Sequence, residues 1–357
     1  MKPLSLRQRM ALELKRKMRM QHRREHPLRQ LFWECTHRCN LACRHCGSDC
    51  KVSGMHPDMP AEDFLRAVDS ILPHLGRDSR HRLNIVITGG EPTMRQDLEH
   101  VGLELYRREL PWGIVTNGLL LTPERFASLR RAGLHNITIS LDGLKDSHNW
   151  MRGNPQSFDR AYEAIKMAAK ADGVNFDVVT CVNARSLDEL PQVRTKLIEA
   201  GVKGWRLFTI FPSGRAKQYP EFDLDKAQIT ELMEFIVATR KEGRIHASFC
   251  CEGFMAGYEG SVRDGFFGCE AGISVASVLI DGGIGSCPSI RADYTQGNIY
   301  RDDFWDVWQN RFRPYRDHSW MKTGPCAECR HWRYCEGNGM HLRDSEGRLM
   351  HCHLLKE

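Results

Sequence analysis

Residues 35–50 read CTHRCNLACRHCGSDC, five cysteines in sixteen positions. The rest of the chain has to be read outward from them. Cys39, Cys43 and Cys46 are spaced C-x3-C-x2-C, close enough for one short loop to wrap a single metal centre. Three thiolates around a cubane 4Fe-4S cluster leave one iron without a protein ligand, whereas a structural zinc site takes four ligands and is closed. An open iron is a reactive iron. Cys35 or Cys50 would close the site as a fourth ligand, so the spacing alone leaves an open cluster, a closed cluster and a zinc site standing.

Composition narrows the context. At 357 residues and 41% hydrophobic content the chain can fill one large barrel-type domain or two ordinary ones. The start, MKPLSLRQRMALELKRKMRM, has no continuous apolar run and no small-residue cleavage site, and no stretch approaches a membrane-spanning length. A soluble cytoplasmic protein without membrane insertion is expected. Thiols stay reduced there, so 14 cysteines point to metal or redox chemistry rather than to disulfides. The net charge of +6 is concentrated in residues 1–30, where ten Lys or Arg face only Glu13 and Glu25; the body is near neutral. This basic segment could touch nucleic acid, anionic lipid or an acidic partner; the preferred reading is a solvated helix whose Leu6, Met10, Leu14 and Met18, at i, i+4 spacing, dock on the domain. Nothing downstream resembles a nucleic-acid module, and no nucleic-acid partner is expected.

From residue 31 short β-rich runs alternate with helical segments. LFWECT, LNIVITGG, GIVTN, NITISLDG, FDVVTCVN and WRLFTIFP read as strands. Between them lie PAEDFLRAVDSILPHL, a helix around 97–109, TPERFASLRRAG, a helix around 157–171, and LDELPQVRTKLIEAG. Six such steps with Val- and Ile-rich strands predict a parallel sheet covered by helices, either an open doubly wound sheet or a partial barrel. After residue 245 glycine becomes dense and helical periodicity fades; seven cysteines lie between 250 and 335, and Cys352 follows. A loop-rich region stapled by metal is expected there.

The ordered set CNLACRHC, TGGEPTM at 88–94, TNG at 116–118 and SLDG at 140–143, each at a strand end, resembles the radical SAM enzyme superfamily. The resemblance covers residues 31 to about 210. It implies an α/β fold built as a partial (β/α)6 TIM-type barrel over 31–245, preceded by a basic helical extension over 1–30. It also implies that Cys39, Cys43 and Cys46 hold a 4Fe-4S cluster whose open iron takes the amino and carboxylate groups of S-adenosylmethionine (SAM). Gly89, Gly90, Glu91 and Pro92 match the segment that meets the SAM amino group, with bare backbone approaching the ligand and a carboxylate facing its ammonium. Ser140 and Asp142 match the ribose-contacting strand, Asn117 lies near the cofactor, and Arg152 resembles the arginine that pairs with the SAM carboxylate. For Asn117 and Arg152 a structural role stands beside direct contact. The implied chemistry is one-electron cleavage of SAM, giving a 5′-deoxyadenosyl radical that abstracts hydrogen from an unactivated C–H bond.

The second cysteine region, C-x12-G-x4-C from Cys269 to Cys287 followed by CAECRHWRYCEGNG and Cys352, resembles the SPASM extension, a loop-rich iron–sulfur domain expected over 246–357. Cys326, Cys329, Cys335 and Cys352 match the four ligands of an outer auxiliary cluster, although a zinc ribbon would suit the same spacing. The inner auxiliary cluster lacks a cysteine, because Gly339 stands at its position. Cys269 and Cys287 cannot hold a cubane alone, and Cys250 or Cys251, with Cys251 preferred, would have to join them. One or two auxiliary clusters are therefore expected. Cys181 reads as a small buried residue.

Over its whole length the chain is most similar to the SPASM enzymes of radical SAM/lipoprotein systems. That implies a peptide or protein substrate, such as a lipoprotein or precursor peptide, and an electron donor such as flavodoxin or ferredoxin. Side-chain chemistry on a tetrapyrrole, and a non-catalytic iron–sulfur electron carrier, are the alternatives.

Overall fold

The computed structural model describes residues 2–51, 53–250 and 252–355. Its centre is one ten-stranded sheet. Strands β1 (Gln30–Glu34), β2 (Asn84–Thr88), β3 (Trp112–Thr116), β4 (Leu134–Ser140), β5 (Asn175–Val182) and β6 (Gly204–Thr209) run parallel in chain order. The six strands read from the sequence are all present. Beyond them, β7 (His246–Phe249) pairs parallel with β6, and β8 (Val275–Val278) pairs parallel with the free side of β1. A short antiparallel run, β9 (Gly283–Gly285) and β10 (Gly297–Asn298), completes that edge. Since β6 and β1 are not paired, the curved sheet stays open. The chain has the α/β partial-barrel architecture, followed by an irregular C-terminal region.

Side-chain alternation sorts the strands into two faces. In β1, Leu31 and Trp33 are fully buried against the helices, and Trp33 stacks on Phe64 of helix α1 (Ala61–Ile71) with ring centroids 4.4 Å apart. Gln30 and Phe32 point the other way, into a cavity. The same division holds in β2, where Ile85 and Ile87 face helices and Asn84 and Thr88 face inward. The helical layer packs tightly enough to dictate residue size. Gly102, on helix α2 (Leu98–Arg107), lies where a Cβ would stand 2.2 Å from the buried Trp112 ring, which also donates from Nε1 to the Ala132 carbonyl at 3.1 Å.

The N-terminal helix, Leu6–Glu25, starts from a capping box between Ser5 and Gln8. It docks, but on the face opposite to the one its periodicity suggested. Leu12 is the buried apolar residue, packed with Phe254, Ala256 and Phe267. Arg19 is 6% exposed and donates to the Phe267 carbonyl at 2.6 Å, the Tyr334 carbonyl at 3.2 Å and Glu336 at 3.0 Å. Arg23 pairs with Glu336 at 2.5 Å, and Gln8 donates to the carbonyls of Gly257 and Glu259. The surface it lands on is loop, rich in carbonyls that need donors, so arginine and glutamine fit there and leucine does not. Leu6, Met10, Leu14 and Met18 are consequently left in solvent. Among the described residues no helix is long and apolar enough to cross a membrane.

Gly102→Ala is expected to overpack the Trp112 site and lower stability by about 1–3 kcal/mol, read as a lower melting temperature with unchanged far-ultraviolet helicity.

Candidate functional site

The cysteine loop leaves the C-terminal end of β1, where parallel α/β folds place their chemistry. It is held from three sides. Arg95 donates to the Cys35 carbonyl at 2.7 Å, Arg215 donates to the carbonyls of Cys43 at 2.7 Å and Cys50 at 3.0 Å, and the Arg215 amide donates to the Cys46 carbonyl at 3.0 Å. Cys39 closes the loop by donating its amide to the Lys51 carbonyl at 2.9 Å. Within this frame Cys39, Cys43 and Cys50 pack as one small group with Cys46 beside them, whereas Cys35 belongs to the main core. None of these cysteines is in a disulfide. Burial pushes the Cys39 thiol up to about 12, with the neighbouring Cys43 and Cys46 adding to the effect, and burial raises Cys43 as well. The Cys46 thiol is drawn down, chiefly by a hydrogen bond with Cys50. Cys39 and Cys43 are thus costly as free anions, and a cluster would stabilise them as ligands. The donor set therefore fits an iron–sulfur centre, and the structure adds Cys50 as its immediate neighbour.

The GGEP segment lies directly against this loop. A Cβ on Gly90 would stand 2.1 Å from the Arg38 carbonyl oxygen, and one on Gly89, where φ is +133°, would stand 2.3 Å from the Thr36 carbonyl oxygen. Gly90 donates its amide to Thr36 at 2.6 Å and Glu91 donates to Arg38 at 2.9 Å. The bare backbone is needed here for contact with the cysteine loop itself. The Glu91 carboxylate, 1% exposed, accepts from the amide and hydroxyl of Thr93, the Thr116 hydroxyl at 2.7 Å and the Asn117 amide at 2.8 Å. Pro92 opens the short helical turn that carries Thr93. Asn117 reaches back to Asn40 of the cysteine loop at 2.8 Å.

Ser140 ends β4 and Asp142 follows just beyond it, beside the same loop and fully buried. Its carboxylate accepts from Arg152 Nε at 2.6 Å and the Cys181 amide at 3.0 Å, and Arg152 Nη1 lies 3.8 Å from Cys43 Sγ. Burial works to raise the Asp142 pKa, but Arg152, His45 and His148 overcome it and hold the carboxyl at about 2. Asp142 and Arg152 are thus partners of each other, a buried ion pair set against Cys43.

Below this mouth the barrel encloses a cavity of about 690 Å³. Phe32, Val115, Val179 and Phe208 give it apolar walls; Arg29, Arg206 and Arg291 add guanidinium groups, of which Arg291 is paired with Glu34 at 3.3 Å. Arg206 is tied to Asp177 and to the Thr138 hydroxyl at 2.9 Å. Cys181, read from the sequence as a core thiol, instead faces this cavity, and its Sγ, a His45 ring nitrogen and an Asp142 carboxylate oxygen lie within 4.8 Å of one another. Alternation in FDVVTCVN could have revealed this, because Cys181 shares a face with Asp177, which would not point into an apolar core. Glu252 and His341, which no motif singled out, also line the cavity. Burial raises Glu252 to about 8 even though the Thr209 amide and hydroxyl donate to it, and burial lowers His341 to about 4.

Farther along the same wall are Cys250, Cys269 and Cys287, the last two close enough for the Cys269 charge to act on Cys287. Cys251 lies outside the described residues. Cys326, Cys329, Cys335 and Cys352 form a separate thiol group: burial raises Cys335 and Cys352, and each also feels Cys326 and Cys329. Arg343, 1% exposed, contributes Nη2 at 3.3 Å from Cys326 Sγ.

The profile of the Radical SAM superfamily matches residues 33–197, and that of SPASM, an iron–sulfur cluster-binding domain, matches residues 269–330. Mycofactocin maturase MftC of Mycolicibacterium smegmatis is 30% identical over 327 residues, 87% of this chain and 77% of that protein. The chain belongs to the radical SAM superfamily. It is an enzyme, with a 4Fe-4S cluster and SAM as cofactors and one or two auxiliary iron–sulfur clusters in its SPASM region. AdoMet-dependent heme synthase of Methanosarcina barkeri is 27% identical over 327 residues, 87% of this chain and 90% of that one. Among solved structures, Streptococcus suis SuiB bound to precursor peptide SuiA superposes with TM-score 0.70 at 18% identity, covering 90% of this chain and 75% of that one. Native anSMEcpe with bound AdoMet gives 0.67 at 20% identity, covering 89% and 91%. These two likenesses establish the fold.

Breaking the buried pair should be costly. Arg152→Leu strands the Asp142 charge and is expected to destabilise the reconstituted protein by about 3–5 kcal/mol, while Asp142→Asn combined with Arg152→Leu should cost less than the single change. Thermal denaturation of the three variants under anaerobic conditions measures the coupling; an unaltered melting temperature in Arg152→Leu would reduce Arg152 to a ligand contact.

Proposed function

We propose that this enzyme cleaves SAM reductively and abstracts hydrogen from a peptide or protein substrate held in the barrel cavity. Residues 31–245 act as the catalytic barrel and 246–357 as the auxiliary-cluster domain. Cys39, Cys43 and Cys46 hold the SAM-binding cluster; Gly89, Gly90, Glu91, Pro92, Asn117, Ser140, Asp142 and Arg152 form the pocket around SAM. Bound there, the cofactors supply a 5′-deoxyadenosyl radical. The protein's own part is to fix the cysteine loop, keep water out with the apolar cavity walls, and present one C–H bond at the mouth.

The carrying observation is the placement of that cavity. It opens at the cysteine loop beside His45 and Cys181 and runs to Cys269 and Cys287, so a substrate in it lies between the SAM cluster and the auxiliary region. The relationship to the mycofactocin maturases supports a peptide. A second reading, a tetrapyrrole bearing carboxylate side chains, draws on the heme synthase relatives and on Arg29, Arg206 and Arg291 in the cavity wall. A flavodoxin or ferredoxin would supply the electron.

The test is substrate-dependent 5′-deoxyadenosine formation by anaerobic, reduced enzyme, with peptides encoded beside the gene in one arm and a carboxylated porphyrin in the other. A mass change in the peptide supports the first reading; turnover and decarboxylation of the porphyrin alone would replace it with the second. Replacing Cys39, Cys43 and Cys46 by Ala should abolish SAM cleavage while iron at the outer site remains.

Cluster number is a separate expectation. With Cys326, Cys329, Cys335 and Cys352 holding the outer cluster, and Cys269, Cys287 and Cys251 contributing to an inner one, wild-type protein should contain more iron than two cubanes account for. That excess should vanish in Cys269→Ala/Cys287→Ala, together with some thermal stability. Equal iron in both proteins would show that the inner cluster is absent.

A further inference from the structure

The N-terminal helix presents an arrangement that neither SAM chemistry nor the cavity explains. Leu6, Met10, Leu14 and Met18 are 76%, 68%, 62% and 60% exposed, and at i, i+4 spacing they form one continuous ridge over about three turns. The helix is not loosely attached: Arg19, Arg23 and Gln8 clamp its opposite face to carbonyls and to Glu336, and Arg333 pairs with Glu13. The ridge is therefore held outward by the fold. Exposed Arg7, Arg9, Lys17 and Arg24 lie around it, and none makes an ion pair among the described residues. A rigid apolar ridge flanked by unneutralised cations is a surface awaiting an apolar and anionic partner.

We propose that this helix is a docking surface for an anionic lipid bilayer, on which the enzyme rests peripherally with the helix axis in the membrane plane. Shape favours that occupant. The ridge stands outward on a helix and its residues line neither the barrel cavity nor the pocket beside Tyr300 among the described residues, so it offers a peptide no groove there, whereas a bilayer yields to a ridge and takes Leu and Met side chains below the headgroups. The cations around the ridge reach headgroup phosphates by extending their stems along the apolar surface. A second copy of the chain is the poorer partner. Four side chains bury far less than the roughly 800 Å² per subunit of a stable interface, and pairing the faces would oppose like charges. Nucleic acid would use the cations but leave the ridge in water.

Co-sedimentation of the full-length protein with phosphatidylcholine vesicles, with and without phosphatidylglycerol, tests the proposal. Wild type should partition onto the anionic vesicles and be released by salt, and Met10→Glu/Leu14→Glu should reduce partitioning by about tenfold or more. Both positions are exposed, so helicity, melting temperature and SAM cleavage in solution should match wild type. The proposal fails if wild type binds anionic and neutral vesicles equally weakly. It fails too if the double variant binds as well as wild type, or if ultracentrifugation shows a wild-type dimer that the variant converts to monomer.

Discussion

The organisation of the site depends on a backbone-to-backbone contact, that of Gly89 and Gly90 against the carbonyls of Thr36 and Arg38. Any side chain at either glycine would collide with peptide oxygen and push the cysteine loop away from β2. With the side chains absent, the amides of Gly90 and Glu91 bond to the loop and continue the β1–β2 pairing past the end of the strands. The contact also fixes where Glu91 falls. Its carboxylate is delivered to Thr93, Thr116 and the Asn117 amide, which joins β2 to β3, and Asn117 returns to Asn40 in the loop. Four donors converge on one buried carboxylate that would otherwise be expensive to desolvate.

An interior with polar and small residues is what keeps the barrel hollow. In a filled barrel, inward positions are bulky and branched. Here Gln30, Asn84, Thr88, Thr138, Cys181 and Arg206 occupy many of them, and they satisfy each other or face open space rather than interdigitate. The stability that such a core lacks is supplied on the outer face, where Trp33, Trp112, Trp205 and the aliphatic rows of the strands meet the helices. Gly102 beneath Trp112 shows how closely that layer is fitted.

Much of this was legible in the sequence. The β-rich runs, the amphipathic helices and the order of CNLACRHC, TGGEPTM, TNG and SLDG are local signals, and strands β1 to β6 follow from them. Strands β7 and β8 were not legible, because HASF and VASV are short and contain small residues, and β8 joins the parallel sheet by pairing with β1, more than two hundred residues away in the chain. The exposed ridge of the N-terminal helix misled for a related reason. Periodicity reveals that Leu6, Met10, Leu14 and Met18 share a face, but the side that is covered is decided by the receiving surface, and here that surface offers carbonyls and Glu336. Cys50 carries no spacing signal that separates it from Cys35. Only the fold sends one into the core and the other beside Cys46.

The same receiving surface links the helix to the outer thiol group. Glu336, which both Arg19 and Arg23 grip, directly follows Cys335, and Arg19 also takes the Tyr334 carbonyl just before it. The apolar contribution beneath the helix is small: Leu12, Phe254, Ala256 and Phe267 are its buried members. Metal bound by the neighbouring cysteines would add order to a segment with so few buried apolar residues beneath the helix. On the proposed outer-cluster reading, ligation at Cys335 would fix the positions of the acceptors that the helix requires. By linkage, the clamped helix favours the loop geometry in which Cys335 stands with Cys326, Cys329 and Cys352. If the outer thiols bind metal as proposed, metal loading and the presentation of the basic ridge would be coupled through Glu336 and its neighbour Cys335.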